Sequence, residues 1–250
     1  KSARLIGSSI TRLDGMAKAS GRAKYPSDVR PEGMLFGVLL SSPHASAKVK
    51  AIDLEPARKM PGVKAVLALA EPGQTVIFYQ GQEIAAVAAE PEVAARDAAR
   101  AIKVEYEVLP HVVTERQSSA PGAPKVFGNG NVRPGRLEPH GLTAEWKGPD
   151  SITVYASTQS VMTVANDMVQ TFGVPASNVT VLTEVMGGGF GSKFNADVWG
   201  IAAAKLAKES GRPVRMFLDR AQEHMIAGNR PSATAKVKLG ATADGKLVAM

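Results

Sequence analysis

The sequence predicts an α+β fold in two parts. Three observations carry that prediction. First, apolar strand-like runs alternate with Ala-rich helical segments in both halves of the chain. Second, the stretch from His111 to Arg136 loses apolar periodicity and is rich in turn formers, Ser118-Ser119-Ala120-Pro121-Gly122-Ala123-Pro124 and Gly128-Asn129-Gly130-Asn131. Third, a strand runs into Met186-Gly187-Gly188-Gly189-Phe190-Gly191-Ser192-Lys193, and a helical pattern follows it. The expected parts are residues 1–115, a linker at 116–136, and residues 137–250.

Residues 1–30 carry Gly7, Gly15 and Gly21 among short polar stretches and read as an irregular arm. Met34 to Leu40 is an apolar strand. Asp53 is placed to cap a short helix that Pro61-Gly62 ends. Val63 to Leu69 and Glu83 to Ala89 are further strands. Pro91 opens a helix to Ala101, and Ile102 to Val108 is a fourth strand. The order suggests two similar strand–helix–strand halves. After the linker, Leu142–Trp146 and Ser151–Ala156 are strands joined by a turn at 147–150. A helix spans about Ser160 to Phe172, stopped by Gly173 and Pro175. The strand at 178–183, the glycine stretch and a helix from Asn195 to Ser210 come next, closed by Gly211 and Pro213. Val214 to Leu218 is a strand. Asp244-Gly245 marks a hairpin between Ala233–Leu239 and Lys246–Met250. The chain stops within that second strand, as the first part of a longer or split subunit would.

Composition excludes some chemistries. Cysteine is absent, so thiolate zinc sites, protein-held iron–sulfur clusters and a cysteine nucleophile are excluded within these residues. Such a chain tolerates any redox compartment. No apolar run approaches a membrane span, and the first residues lack the apolar core of a signal peptide. The net charge of +7 raises nucleic acid as a partner. The basic residues are dispersed, however, and no aromatic interleaves with a basic run. A basic surface facing an acidic partner subunit is the plainer account.

The glycine stretch holds four of the 24 glycines within five positions. Glycine permits positive φ and close approach of another molecule to the main chain. With a helix N-terminus beside it, the loop suits an electron-rich group such as a phosphate. Neither familiar phosphate motif fits. Ser192 separates Gly191 from Lys193 where a P-loop needs Gly-Lys, and it stands where the third glycine of G-x-G-x-x-G belongs. A phosphate cradle also has no need of Phe190.

Gly187-Gly188-Gly189-Phe190-Gly191-Ser192-Lys193 resembles the loop that meets the molybdenum centre in the large subunit of the xanthine dehydrogenase and aldehyde oxidase family. Leu137-Glu138-Pro139-His140, Ala156-Ser157-Thr158-Gln159, Gly211-Arg212-Pro213-Val214-Arg215, Leu218-Asp219-Arg220 and Asn229-Arg230-Pro231 stand in that family's order. Gly21-Arg22-Ala23-Lys24-Tyr25 and Val104-Glu105-Tyr106-Glu107-Val108-Leu109-Pro110 are similar too. The resemblance implies a small hammerhead-like α/β domain before the first part of a molybdopterin-binding α+β domain. It implies molybdopterin with Mo, in plain or cytosine dinucleotide form, held by Gly188, Gly189, Phe190 and Gly191. It implies [2Fe-2S] and FAD on partner subunits, and a small aldehyde or heterocycle as substrate. The substrate pocket would include Phe190, Phe194, Arg230 and Lys236. Phe194 and Lys236 stand where purine-oxidising relatives carry a glutamate and an arginine, which points to aldehydes or less polar heterocycles. The general base would be a glutamate beyond Met250. The step from Arg136 to Leu137 is shorter than the family's.

The other candidates read as structural. His44, His111, His140 and His224 show no ligand spacing. Glu138 and His140, two apart, would share one face of a strand. No Ser-His-Asp order or paired-carboxylate motif stands out. The competing function is a non-catalytic α+β module that uses the glycine loop to bind a phosphate or nucleotide.

Overall fold

The computed structural model describes residues 6–112, 138–228 and 235–249. Its centre is a seven-stranded mixed sheet. In chain order its strands are β1 (Leu35–Ser41), β3 (Val63–Ala68), β5 (Glu83–Ala89), β7 (Gly141–Trp146), β8 (Ile152–Ala156), β9 (Val179–Leu182) and β10 (Val214–Phe217). Across the sheet they lie in the order β3-β5-β1-β10-β7-β8-β9. Three of these strands precede the expected linker and four follow it. The linker lies wholly outside the described residues. A smaller sheet sets β2 (Ala47–Asp53) between β4 (Val76–Ile77) and β6 (Lys103–Val108).

Helices cover both faces of the large sheet. On one face α5 (Asp197–Ser210) lays Ala202, Ala203 and Leu206 against Leu35, Leu142, Val154 and Val214. On the other, α2 (Glu55–Arg58) and α3 (Glu92–Ala101) bury Ala57, Ala95, Ala98 and Ala99 against Val66, Ala85 and Val87. This two-sided cover explains why β5 is buried at every position and reads as a continuous apolar run rather than an alternating one.

Several helix limits follow from capping. α4 (Val161–Phe172) starts where the Ser160 hydroxyl accepts the Thr163 N–H, and it stops at Gly173 in the left-handed region, φ 65°. α5 ends the same way at Gly211, φ 66°. Asp53 serves its expected role one residue early, accepting the Glu55 N–H at 3.0 Å while Leu54 holds the cap position.

Some features depart from the sequence reading. β2 is an additional strand, and it is this strand, not β1, that leads into α2. A short helix α1 (Gly15–Ala19) interrupts the arm. Another, α6 (Arg220–Met225), opens on a capping box between Asp219 and Gln222. The hairpin around Gly245 is smaller than expected: its strands are β11 (Gly240–Ala241) and β12 (Leu247–Ala249), with 235–239 outside any strand. Residues 233, 234 and 250 lie outside the described residues.

Candidate functional site

The glycine stretch leaves the end of β9, and three of its residues take left-handed backbone: Gly188 at φ 92°, Phe190 at φ 52° and Gly191 at φ 81°. For Phe190 that conformation costs about 1 kcal/mol or more, so the surroundings must impose it. They do so through polar anchors. A loop of glycines has few side chains of its own to pack.

The first anchor is Glu138, just before β7. Its Oε2 accepts the Gly187 N–H at 2.8 Å and the Ser157 hydroxyl at 2.8 Å. Its Oε1 accepts the Ser27 N–H of the arm at 3.4 Å. Lys193 completes the group from the far end of the loop. Its side chain is fully buried, and its Nζ donates to the Glu138 carbonyl at 2.8 Å and to Ser157 Oγ at 2.6 Å. That Nζ lies 3.7 Å from Glu138 Oε2.

The second anchor is His140, two residues on. Its N–H and its Nδ1 both meet Glu223 Oε1, at 2.6 and 2.9 Å, and its Nε2 meets Ser192 Oγ at 2.9 Å. Facing a carboxylate, Nδ1 carries a proton. Both His140 and Glu223 are buried. Burial alone would raise the Glu223 carboxyl. The hydrogen bonds from the His140 ring and backbone, with the charges of His140 and Lys193, outweigh it and hold Glu223 below the usual carboxylate range.

The third anchor is Gln159. Its Oε1 accepts the N–H groups of Gly191 at 3.0 Å and Lys193 at 3.4 Å, and its own N–H donates to the Lys193 carbonyl at 2.6 Å. Gly189 touches this side chain so closely that a Cβ there would stand 2.2 Å from Gln159 Oε1. Only glycine fits.

With its polar side chains turned inward, the loop presents main chain and phenyl rings outward. Among the described residues, the N–H groups of Gly188 and Gly189 have no hydrogen-bond partner, whereas that of Gly191 is taken by Gln159. Phe190 is 74% exposed and Phe194 44%. The loop therefore offers unpartnered backbone donors, at half-buried Gly188 and buried Gly189, beside exposed aromatic surface, and no nucleophile or proton-transfer group among its described outward side chains. It is a seat for an electron-rich ligand that brings its own chemistry.

The expected anion site at the helix N-terminus is corrected by this geometry. Asp167 Oδ2 already accepts the Ala196 N–H at 2.7 Å. Asp197 opens α5 at φ 55°, and its carboxyl is pushed up to about 6 by burial and by the charges of Asp167 and Glu83. Two carboxylates at that end disfavour a phosphate. Lys193, which would serve a phosphate, is committed inward instead.

Of the expected pocket residues, Phe190 and Phe194 share the loop. Lys236 is exposed and makes no hydrogen bond or ion pair among the described residues, and Arg230 lies outside them. Glu138 and His140 are structural, as expected, and do point one way, both toward the loop. Sequence reasoning missed Gln159, Ser157, Ser192 and Glu223 as supports. The hydroxyl-and-amide run at 157–159 was the available signal for the first two.

Two family descriptions match the chain. "Molybdopterin cofactor-binding domain" covers residues 113–250, and "Aldehyde oxidase and xanthine dehydrogenase, a/b hammerhead domain" covers residues 20–76. Xanthine dehydrogenase/oxidase of Mus musculus is 30% identical over 288 residues, with 98% of this chain and 22% of the relative covered. Aldehyde oxidase 2 of Cavia porcellus is 30% identical over 285, covering 98% and 21%. A probable xanthine dehydrogenase subunit of Bacillus subtilis (strain 168) is 29% identical, covering 96% and 38%. The chain thus spans about a fifth of the length of the first two. The alignment to the mouse protein is longer than the chain's 250 residues, so that relative carries extra residues within the matched span. Among solved structures, the Cu,Mo-CO dehydrogenase superposes with a TM-score of 0.76 at 25% identity, over 86% of this chain and 36% of that one. Quinoline 2-oxidoreductase from Pseudomonas putida 86 gives 0.75 at 25%, over 87% and 35%.

Proposed function

Because the chain belongs to the molybdopterin-binding large-subunit family of the xanthine dehydrogenases and aldehyde oxidases, we propose that its glycine loop forms one wall of a molybdenum-cofactor site in a hydroxylase complex. The observation that carries this is the pair of N–H groups at half-buried Gly188 and buried Gly189 that have no hydrogen-bond partner among the described residues, on a loop held by the buried anchors Glu138 and His140 and the exposed Gln159. The donor set suits molybdopterin, whose oxygen-rich, anionic groups need hydrogen-bond donors and close backbone approach. When bound, the cofactor supplies hydroxylation of a C–H carbon with water as the oxygen source and takes up two electrons.

This chain's own residues bind and orient. Gly188 and Gly189 donate from the main chain. Phe190 and Gly191 bring aromatic surface and an unhindered backbone to the same wall. Phe190 excludes water from the reacting carbon, and Phe194 extends the apolar wall, with Lys236 and Arg230 as further pocket residues. The substrate is an aldehyde or an N-heterocycle. Electrons leave to [2Fe-2S] and FAD centres on partner subunits, because this chain has no cysteine to hold a cluster. The cytosine dinucleotide form of the cofactor and a general base from later large-subunit sequence complete the reading. We also keep residues 116–136 as the boundary between the hammerhead-like part and the cofactor-binding part, although one sheet takes strands from both sides. The extra residues of the relatives are assigned to the step at 136/137.

A non-catalytic phosphate-binding module is disfavoured by the inward Lys193 and the two carboxylates at the α5 N-terminus. The test is elemental analysis of the purified complex. Molybdenum near one atom per copy of this chain is expected. A metal-free complex that retains a nucleotide would support the module instead.

A further inference from the structure

The seven-stranded sheet is thinly paired at its middle. β1 and β10 run parallel, but their pairing covers only Leu35↔Val214 and Phe36↔Arg215. Beyond that point β1 continues with β5 to Ser41, and β10 with β7 to Phe217. Gly37 and Met216 remain in contact past that point: a Cβ on Gly37 would stand 3.0 Å from Met216 Cβ.

Beside this junction lies a cavity of about 180 Å³ between β1, α3 and the start of α6. Its polar lining is arginine-rich: Arg96 and Arg100 from α3, and Arg215 from β10, with Glu92, Asp219 and Gln222. The acids nearby are already engaged. Glu92 pairs with Arg96 at 2.7 Å, and Asp97 pairs with Arg100 at 3.0 Å. Asp219 accepts the Gln222 N–H at 2.9 Å as the α6 cap. Arg215 has no carboxylate partner among the described residues. One of its terminal nitrogens reaches the Ser27 carbonyl at 3.3 Å, and its guanidinium stacks 4.7 Å from the Phe217 ring. Its Nε is buried and has no acceptor among the described residues. A buried donor on a cation, left without an acceptor, is costly. Burial and the neighbouring Arg30 lower the Arg215 pKa, outweighing the charges of Glu92 and Asp28, which raise it.

We propose that this crevice is a binding site for a small oxyanion, a phosphate or a carboxylate. Arg215 is its central ligand, and Arg96 and Arg100 form its rim. The site lies on the α3 face of the sheet and does not depend on the cofactor reading.

Isothermal titration calorimetry on the purified complex tests it, with inorganic phosphate or acetate titrated at constant ionic strength. The wild type should show saturable binding of phosphate, one per copy of this chain. Arg215→Gln should weaken it at least about tenfold, because a charge-assisted hydrogen bond is lost. Arg22→Gln, at an exposed arginine of the arm, should leave it unchanged. Saturation by acetate as well assigns the site to oxyanions generally, and by phosphate alone to tetrahedral ones. If circular dichroism finds Arg215→Gln misfolded, Arg96→Gln decides, with a severalfold loss expected. Absence of saturable binding of either anion to the wild type overturns the proposal, as does wild-type affinity in the folded variants.

Discussion

Replacing Gly189 by alanine tests whether the loop is held by contact with Gln159. The new Cβ would stand 2.2 Å from Gln159 Oε1, 2.4 Å from its Cδ and 2.5 Å from its Cγ. Because three consecutive atoms are struck, rotating the amide alone gives no relief, and the whole side chain must leave. It then forfeits the hydrogen bonds from Gly191 and Lys193. Two such bonds are worth about 1–2 kcal/mol net, and overpacking costs about 1–3 kcal/mol more. The present loop conformation is therefore disfavoured by roughly 2–5 kcal/mol, which lowers cofactor affinity about thirtyfold to a few thousandfold if the loop must be restored on binding. The control is Gly191→Ala. Its Cβ meets nothing within 4 Å, so its cost is only the left-handed backbone, about 1 kcal/mol. Molybdenum per complex, measured by mass spectrometry on protein shown folded by circular dichroism, should fall in the order wild type, Gly191→Ala, Gly189→Ala. Adding Gln159→Ala to Gly189→Ala removes the clash but not the orphaned N–H groups, and should restore loading in part. Wild-type loading by Gly189→Ala would refute the reasoning, as would a greater loss in Gly191→Ala.

Three further outcomes are expected. Lys193→Met leaves the buried Glu138 carboxylate without its cation and should cost about 3–5 kcal/mol in urea unfolding, with part recovered by adding Glu138→Gln; an unchanged midpoint in the single variant would contradict the described anchor. The carboxyl of Asp197 is raised from 3.8 to about 6 by burial and its acidic neighbours, so between those values the folded state binds more protons than the unfolded one. Stability should therefore fall as pH rises through that window, by on the order of 1–2 kcal/mol after solvent screening, and Asp197→Asn should flatten the decline in thermal midpoint. Finally, kcat/KM for aromatic or aliphatic aldehydes should exceed that for xanthine, since each polar group of a buried purine left unpaired beside Phe194 and Lys236 costs roughly 1–3 kcal/mol; the reverse order would sink the proposed substrate class.

Local signals carried much of the fold. The helices at 92–101, 161–172 and 197–210 announce themselves by apolar spacing, and the last two also by their closing glycines. β2 has a local signal too, though a weak one: Ala47 and Val49 face inward while Lys48 and Lys50 face out. Alanine is a weak apolar signal, and the strand belongs to a separate small sheet. Other features had no local trace. β1 meets β10 across nearly the whole chain, and nothing in Leu35 or Val214 names its partner. In the site, glycine density marked the loop correctly. The direction of Lys193 was not readable, because a lysine after glycines looks like a ligand until Glu138 and Ser157 are seen waiting beneath it. Glu223 lies 83 residues from His140, and only the folded sheet brings them together.

The anchors also explain how so glycine-rich a loop holds one conformation. Apolar packing cannot fix residues without side chains, so the fixing is done by hydrogen bonds from outside. Glu138 grips the loop at Gly187, Gln159 at Gly191, and His140 at Ser192. Two of these anchors precede β7 directly, and the third follows β8. β7 is paired to both β8 and β10, so the anchors inherit their spacing from the interior of the sheet. Glu223, on the helix that follows β10, then ties His140 to the same strand from the other side. The loop is therefore as rigid as the β10-β7-β8 register. A substitution that shifts that register, even one far from the glycines, should move the Gly188 and Gly189 donors together with it.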